Sequence, residues 1–82
     1  MLFNNLYSGG ITMKEEFSER LNSVLKDRNI SIKELSKKTN ISEATLTNWL
    51  RSKSFPNRLK PVLALSNYLD LPLSFFWNHL KK

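Results

Sequence analysis

The sequence contains no cysteine. Disulfide staples and thiolate metal sites are therefore excluded, and the chain suits a reducing cytoplasm. A single histidine, His79, has no second histidine and no carboxylate cluster to work with, which leaves no basis for a metal or acid–base centre. The sequence also lacks a Gly-rich phosphate loop and a nucleophile–base arrangement. Neither an enzymatic activity nor a cofactor is expected. No apolar run approaches the roughly 18–20 residues that a membrane span requires. The opening MLFNNLYSGG has neither a basic n-region nor a long apolar h-region, so it does not read as a secretory signal. Nothing repeats with a period of about 20–50 residues.

Negative charge is scarce too. Asp and Glu number 7 against 13 Lys and Arg, a formal charge of +6. Such a balance favours an anionic partner, nucleic acid or an acidic membrane surface. Its placement narrows the choice. Residues 14–28 carry four basic and four acidic side chains, which cancel. Residues 29–60 carry seven basic (Lys33, Lys37, Lys38, Arg51, Lys53, Arg58, Lys60) and two acidic (Glu34, Glu43), so the middle of the chain holds +5 of the +6. No segment pairs a strong apolar face with a dense Lys/Arg face, and a membrane partner is not expected. With 82 residues, of which 40% are hydrophobic and 24% charged, the chain makes one small globular domain.

Hydrophobic periodicity divides that domain into helices. Residues 1–12 form a short arm broken by Gly9-Gly10, or else Met13 is the natural start and they are upstream read-through. Residues 13–82 form the domain. From Lys14, the residues Phe17, Leu21, Val24, Leu25 and Arg28 recur at helical spacing, with Glu15, Glu16 and Glu19 favourably early in the helix. Ser31 is an N-cap, and Glu34 three residues on predicts a capping box for a second helix, 32–38. Ile32 and Leu35 point inward and the lysines outward. Thr39-Asn40-Ile41 breaks that helix, and Asn40 tolerates the left-handed conformation of a sharp turn. Ser42 caps a third helix, about 43–51, with Leu46, Trp49 and Leu50 on its inner face. A loop around Pro56 follows. Asn57 or Lys60 then caps a fourth helix with Pro61 in its first turn and Val62, Leu65, Ser66 and Leu69 inward. Asp70-Leu71-Pro72 opens a fifth, with Pro72 in its first turn and Leu73, Phe76, Trp77 and Leu80 on one stripe. No alternating strand pattern follows residue 12. The fold class is all-α.

Two short helices joined by a three- or four-residue turn have the geometry of a DNA-reading helix-turn-helix, whose second helix fits the major groove. The base-contacting candidates on that helix are Glu43, Ala44, Thr47 and Asn48. Asn48 suits adenine, Glu43 accepts from the cytosine amino group, and Ala44 and the Thr47 methyl suit a thymine methyl. Ser42 and Thr45, near the helix start, are phosphate candidates. Lys33, Lys37, Lys38, Arg51, Lys53, Arg58 and Lys60 complete the phosphate-contacting set, which supplies affinity without sequence information.

At this point the chain resembles the Cro/repressor (XRE-type) helix-turn-helix family. Residues 30–76, ISIKELSKKTNISEATLTNWLRSKSFPNRLKPVLALSNYLDLPLSFF, carry the resemblance, and with the first helix it covers about 16–76. Leu35-Ser36 stands for the Leu-Ala pair of the second helix, and Ile41-Ser42 for the turn. Leu46 and Trp49 match buried positions, and Leu69 to Phe76 matches the last helical junction. The resemblance implies a five-helix lambda-repressor-like domain, here with a short N-terminal arm, binding double-stranded DNA as a homodimer. It implies too that short domains of this type serve phages, mobile elements and antitoxins. The chain departs from the pattern at Ile32 (commonly Gln, holding a phosphate), Asn40 and Ser52 (commonly Gly) and Leu50 (commonly acidic).

The adjacent Phe75, Phe76 and Trp77 cannot all face one small core. Phe75, Trp77 and Leu80 are therefore candidates for a dimer interface, the competing expectation being that they pack under the arm beside Phe3 and Tyr7. The expected function is transcriptional regulation, as a repressor, since little chain remains after the domain for an effector. The alternative is an antitoxin-like protein-interaction module using the fifth helix and the arm against a protein partner.

Overall fold

The computed structural model of the protein describes residues 12–77. The arm up to Ile11, together with His79, Leu80 and the side chain of Trp77, lies outside the described residues. Five helices follow in order: α1 (Met13–Arg28), α2 (Ile32–Thr39), α3 (Glu43–Leu50), α4 (Leu59–Leu69) and α5 (Leu73–Trp77). No strand occurs among the described residues. The all-α, five-helix architecture is the one the periodicity predicts.

Local chemistry sets the helix ends. Thr12, assigned above to the arm, is the N-cap of α1. Its hydroxyl accepts from the Glu15 N–H at 3.2 Å and the Glu15 carboxylate accepts from the Thr12 N–H at 3.0 Å. The two bonds close a capping box. The box expected at Ser31 is only half made. Ser31 Oγ accepts from the Glu34 N–H at 3.0 Å, but the Glu34 carboxylate accepts the Tyr68 hydroxyl at 2.7 Å instead of returning to Ser31. Helix α4 also differs from expectation. Its N-cap is Arg58, which makes no side-chain cap bond, and neither Asn57 nor Lys60 serves. Pro61 permits this start because N–H groups of a first turn have no intrahelical partner to lose. Pro72 stands just before α5 and not within its first turn.

The C-termini share one device. Asn29, Asn40, Ser52 and Asp70 all take positive φ, between 55° and 63°, without a glycine among them. At Asn29, Ser52 and Asp70 the following N–H reaches back to the helix: Ile30 to the Leu25 carbonyl at 2.9 Å, Lys53 to Asn48 at 2.9 Å and Leu71 to Ser66 at 3.0 Å. These are Schellman closures, which satisfy carbonyls the helix leaves open.

The core joins Phe17, Leu21, Val24 and Leu25 of α1, Leu35 of α2, Leu46 and Trp49 of α3, Val62, Leu65 and Leu69 of α4, and Phe76 of α5. Phe17 is the hub. Its ring meets Trp49 edge-on at 5.5 Å and Phe76 at 5.9 Å. Each such side chain contributes roughly 1.5–3 kcal/mol on burial. Helix α1 packs against α3 and α5, α2 against α3 and α4, and α4 against α5. Arg28, on the flank of α1, donates from Nη1 to the Leu69 carbonyl and closes the end of α4.

Candidate nucleic-acid interface

Helices α2 and α3 are separated by Asn40, Ile41 and Ser42. Asn40, at φ 63° and ψ 26°, turns the chain, and its N–H bonds the Ser36 carbonyl at 2.8 Å. Ser36 Oγ donates to the Ile41 carbonyl at 2.5 Å and ties the turn to α2. Ile41 packs against the core, as does Ile32, so the residue standing where a phosphate-holding glutamine is common works as apolar packing. Leu35 and Leu46 are both 0% exposed and fix the two helices on one core. Ser42 begins α3. Its hydroxyl accepts from the Thr45 N–H at 3.1 Å and donates to Thr45 Oγ1 at 2.9 Å. The Ser42 hydrogen is thus engaged within the helix start, while the Thr45 hydroxyl keeps its own hydrogen to donate outward.

An isolated helix of eight residues is too short to persist in water. Both ends of α3 are secured from outside the helix. At its C-terminus the Leu50 carbonyl accepts Ser18 Oγ at 2.7 Å and Asn22 Nδ2 at 3.0 Å, both from α1. The Asn22 amide also reaches the Ser18 carbonyl at 2.9 Å and Ser18 Oγ at 3.2 Å. Ser52 N–H meets the Trp49 carbonyl at 3.2 Å, and Arg51 N–H meets Thr47 at 3.0 Å. Ser18 and Asn22 are not legible as anchors from the pattern alone, because polar residues at i and i+4 on an amphipathic helix read as a solvated edge. The T-x-x-E signature of Thr12 and Glu15 was legible, but lay across the expected arm boundary.

The two faces of α3 separate cleanly. Leu46 and Trp49 are buried, as the pattern predicts. Glu43, Ala44 and Asn48 are exposed and Thr47 is half-exposed. Among the described residues the side chains of Glu43, Thr47 and Asn48 have no hydrogen-bond partner, so their polar atoms are available. Leu50, where an acidic residue is common, is half-buried against the core.

Lys33, Lys37 and Lys38 lie on α2, Arg51 and Lys53 follow α3, and Arg58 and Lys60 stand at the start of α4; all seven are exposed. The one ion pair among the described residues, Arg20 with Glu16 at 3.8 Å, is on α1 and involves none of the seven. Helices α1, α2 and α3 each begin with a capping hydroxyl and a glutamate in the first turn. Helix α4 has neither, and carries Arg58 and Lys60 there. Cations beside the positive end of a helix are unfavourable until an anion neutralises them. Glu34, among the lysines of α2, is occupied by Tyr68. That hydrogen bond first, then burial and the nearby carboxylate charge, raises the Tyr68 pKa above its ordinary value.

Phe75, expected as an exposed aromatic, is half-buried. It meets Phe76 edge-on at 4.9 Å, and the Arg20 guanidinium lies 5.6 Å from its ring centre. Among the described residues no helix is long and apolar enough to cross a membrane, and no group of three or more His, Asp or Glu side chains is gathered as metal ligands would be.

The model of one protein family, described as the Cro/C1-type helix-turn-helix DNA-binding domain, matches residues 20–74. No curated protein and no solved structure matches the chain.

Proposed function

Since the chain belongs to the Cro/C1-type helix-turn-helix DNA-binding family, a family of DNA-binding domains and not of enzymes, we propose that it is a transcriptional repressor that reads the major groove with α3. The observation that carries this reading is the face of α3. Glu43, Ala44, Thr47 and Asn48 turn outward without internal partners, on a helix whose other face is anchored in the core. Asn48 pairs with adenine, Glu43 accepts from a cytosine amino group, and Ala44 and Thr47 touch thymine methyls. Lys33, Lys37, Lys38, Thr45, Arg51, Lys53, Arg58 and Lys60 hold the phosphates. Ser42 joins them only by giving up its bond to Thr45. Two copies, joined through Phe75, Trp77 and Leu80, place two α3 helices in successive major grooves about 34 Å apart on a two-fold operator, where occupancy blocks polymerase.

Selection from random-sequence duplexes tests this. A two-fold motif should emerge, with affinity falling about 10³–10⁵-fold between 50 and 200 mM salt, as for 6–10 phosphate contacts. Glu43→Ala and Asn48→Ala should each change the selected sequence. No enriched motif, or an unchanged motif in both variants, rules the reading out.

A further inference from the structure

We propose that Ser18 and Asn22 of α1 are positioning residues for DNA readout, holding α3 at the angle from which its outer face discriminates between bases. The inference rests on the reading of DNA by α3. A helix donates its first N–H groups and offers its last carbonyls to whatever lies beyond it, and these ends are where an external group fixes its direction. At the start of α3 the fixing group is local, Ser42, and tells the helix nothing about the rest of the molecule. At its end two side chains from another helix converge on one carbonyl oxygen, that of Leu50, at 2.7 and 3.0 Å. Their sequence separations from Leu50 are 32 and 28 residues.

The pair is itself preorganised. Ser18 and Asn22 are one helical turn apart, and the Asn22 amide is held by the Ser18 carbonyl at 2.9 Å. Ser18 is 5% exposed, an unusual place for a hydroxyl on the apolar face of an amphipathic helix. Burial there is tolerable because the hydroxyl has its partner in Leu50. The apolar contacts of Leu46 and Trp49 hold α3 against the core but are not directional. Hydrogen bonds at one end define its rotation and tilt more narrowly. Asn48 lies two residues before Leu50, so a small swing of that end moves its amide relative to a base edge, and a bidentate bond to a base depends on such geometry.

The experiment compares wild type with Ser18→Ala, Asn22→Asp and Ser18→Ala/Asn22→Ala. Asn22→Asp is close in shape but sets an oxygen against the Leu50 carbonyl, and Asn22 is exposed, so this variant retains the fold. Thr12→Ala is the control: it weakens the start of α1 away from α3. Each folded protein is measured against the selected duplex, its single-base variants and a random duplex. The ratio of selected to single-base-variant affinity should fall at least about fivefold in the double variant and in Asn22→Asp, near the lower end of what one good base contact contributes. Random-duplex affinity and the salt slope should hold in the double variant, which keeps the wild-type charge, and Thr12→Ala should keep the wild-type ratio. Asn22→Asp adds one negative charge, so its readout is the ratio, in which non-specific repulsion cancels. An unchanged ratio in folded Asn22→Asp overturns the positioning role alone. Loss of selected and random binding in parallel overturns it as well, by showing a general loss of stability. Absence of any preference in wild type overturns both this inference and the reading by α3 on which it rests.

Discussion

Ser52 stands at φ 62°, a conformation that suits glycine, at the end of the helix proposed to read DNA. For a residue with a Cβ the left-handed region costs roughly 1–2 kcal/mol. Ser52→Gly removes that cost. It also gives the unfolded chain more freedom, which favours unfolding by roughly 0.5–1 kcal/mol. The first effect exceeds the second, and the net expectation is a stabilisation of about 0.5–1 kcal/mol. For a domain of this size that corresponds to a rise in Tm of roughly 2–8 °C. The hydrogen bonds that close this helix end, Ser52 N–H to Trp49 at 3.2 Å and Lys53 N–H to Asn48 at 2.9 Å, are made by backbone atoms and survive the substitution. Asn29, Asn40 and Asp70 supply the internal comparison. Asn and Asp visit the left-handed region at lower cost, because their short polar side chains bond locally. Their glycine variants should lie nearer to wild type. Thermal and urea unfolding of the four variants, followed by circular dichroism at fixed pH, measures the order. A destabilised Ser52→Gly, or an equal gain at Asn40→Gly, refutes the assignment of strain to Ser52.

Other substitutions test separate parts of the fold. Ser66 Oγ is buried without a partner among the described residues, so Ser66→Ala should leave stability unchanged or raise it by about 1 kcal/mol in urea unfolding. Leu46→Ala removes a side chain that is 0% exposed under the helix-turn-helix and should cost about 2–5 kcal/mol, enough to unfold much of so small a domain; a cost below 1 kcal/mol contradicts its place in the core. Tyr68 donates to Glu34, and its pKa is raised in the folded state. A raised pKa stabilises the fold fully below the unfolded tyrosine value, about 10, and that stabilisation is lost as pH climbs through the folded value. Wild type should therefore lose Tm above about pH 10 faster than Tyr68→Phe, and parallel pH profiles of the two proteins refute the coupling.

Some features of this protein are legible residue by residue. The inner stripe of α4 (Val62, Leu65, Ser66, Leu69), the left-handed turn at Asn40 and the cap at Ser42 all stand where spacing and side-chain chemistry put them. The separation of Leu46 and Trp49 from Glu43, Ala44 and Asn48 follows from a 3.6-residue period alone. So does the outward placing of Lys33, Lys37 and Lys38. Helix boundaries slipped where two local signals competed. Pro61 stands in the first turn of α4 as expected, but the cap falls on Arg58, between the two candidates Asn57 and Lys60, and the arm obscures Thr12.

The sequence by itself determined which segments are helical, which face each buries and where the positive charge concentrates, because these depend on neighbours within about four positions. Only the tertiary structure decided which polar groups meet across the chain. The Glu34 carboxylate accepts from Tyr68, 34 residues away, and not from the Ser31 N–H that a full capping box would bring to it. Phe75 packs edge-on against Phe76 with the Arg20 guanidinium beside its ring, and stays half-buried. The Leu50 carbonyl is held by Ser18 and Asn22. Hydrogen bonds of this kind depend on angles and distances set by how α1, α3 and α4 pack, and packing angles are not encoded in any one helix's periodicity.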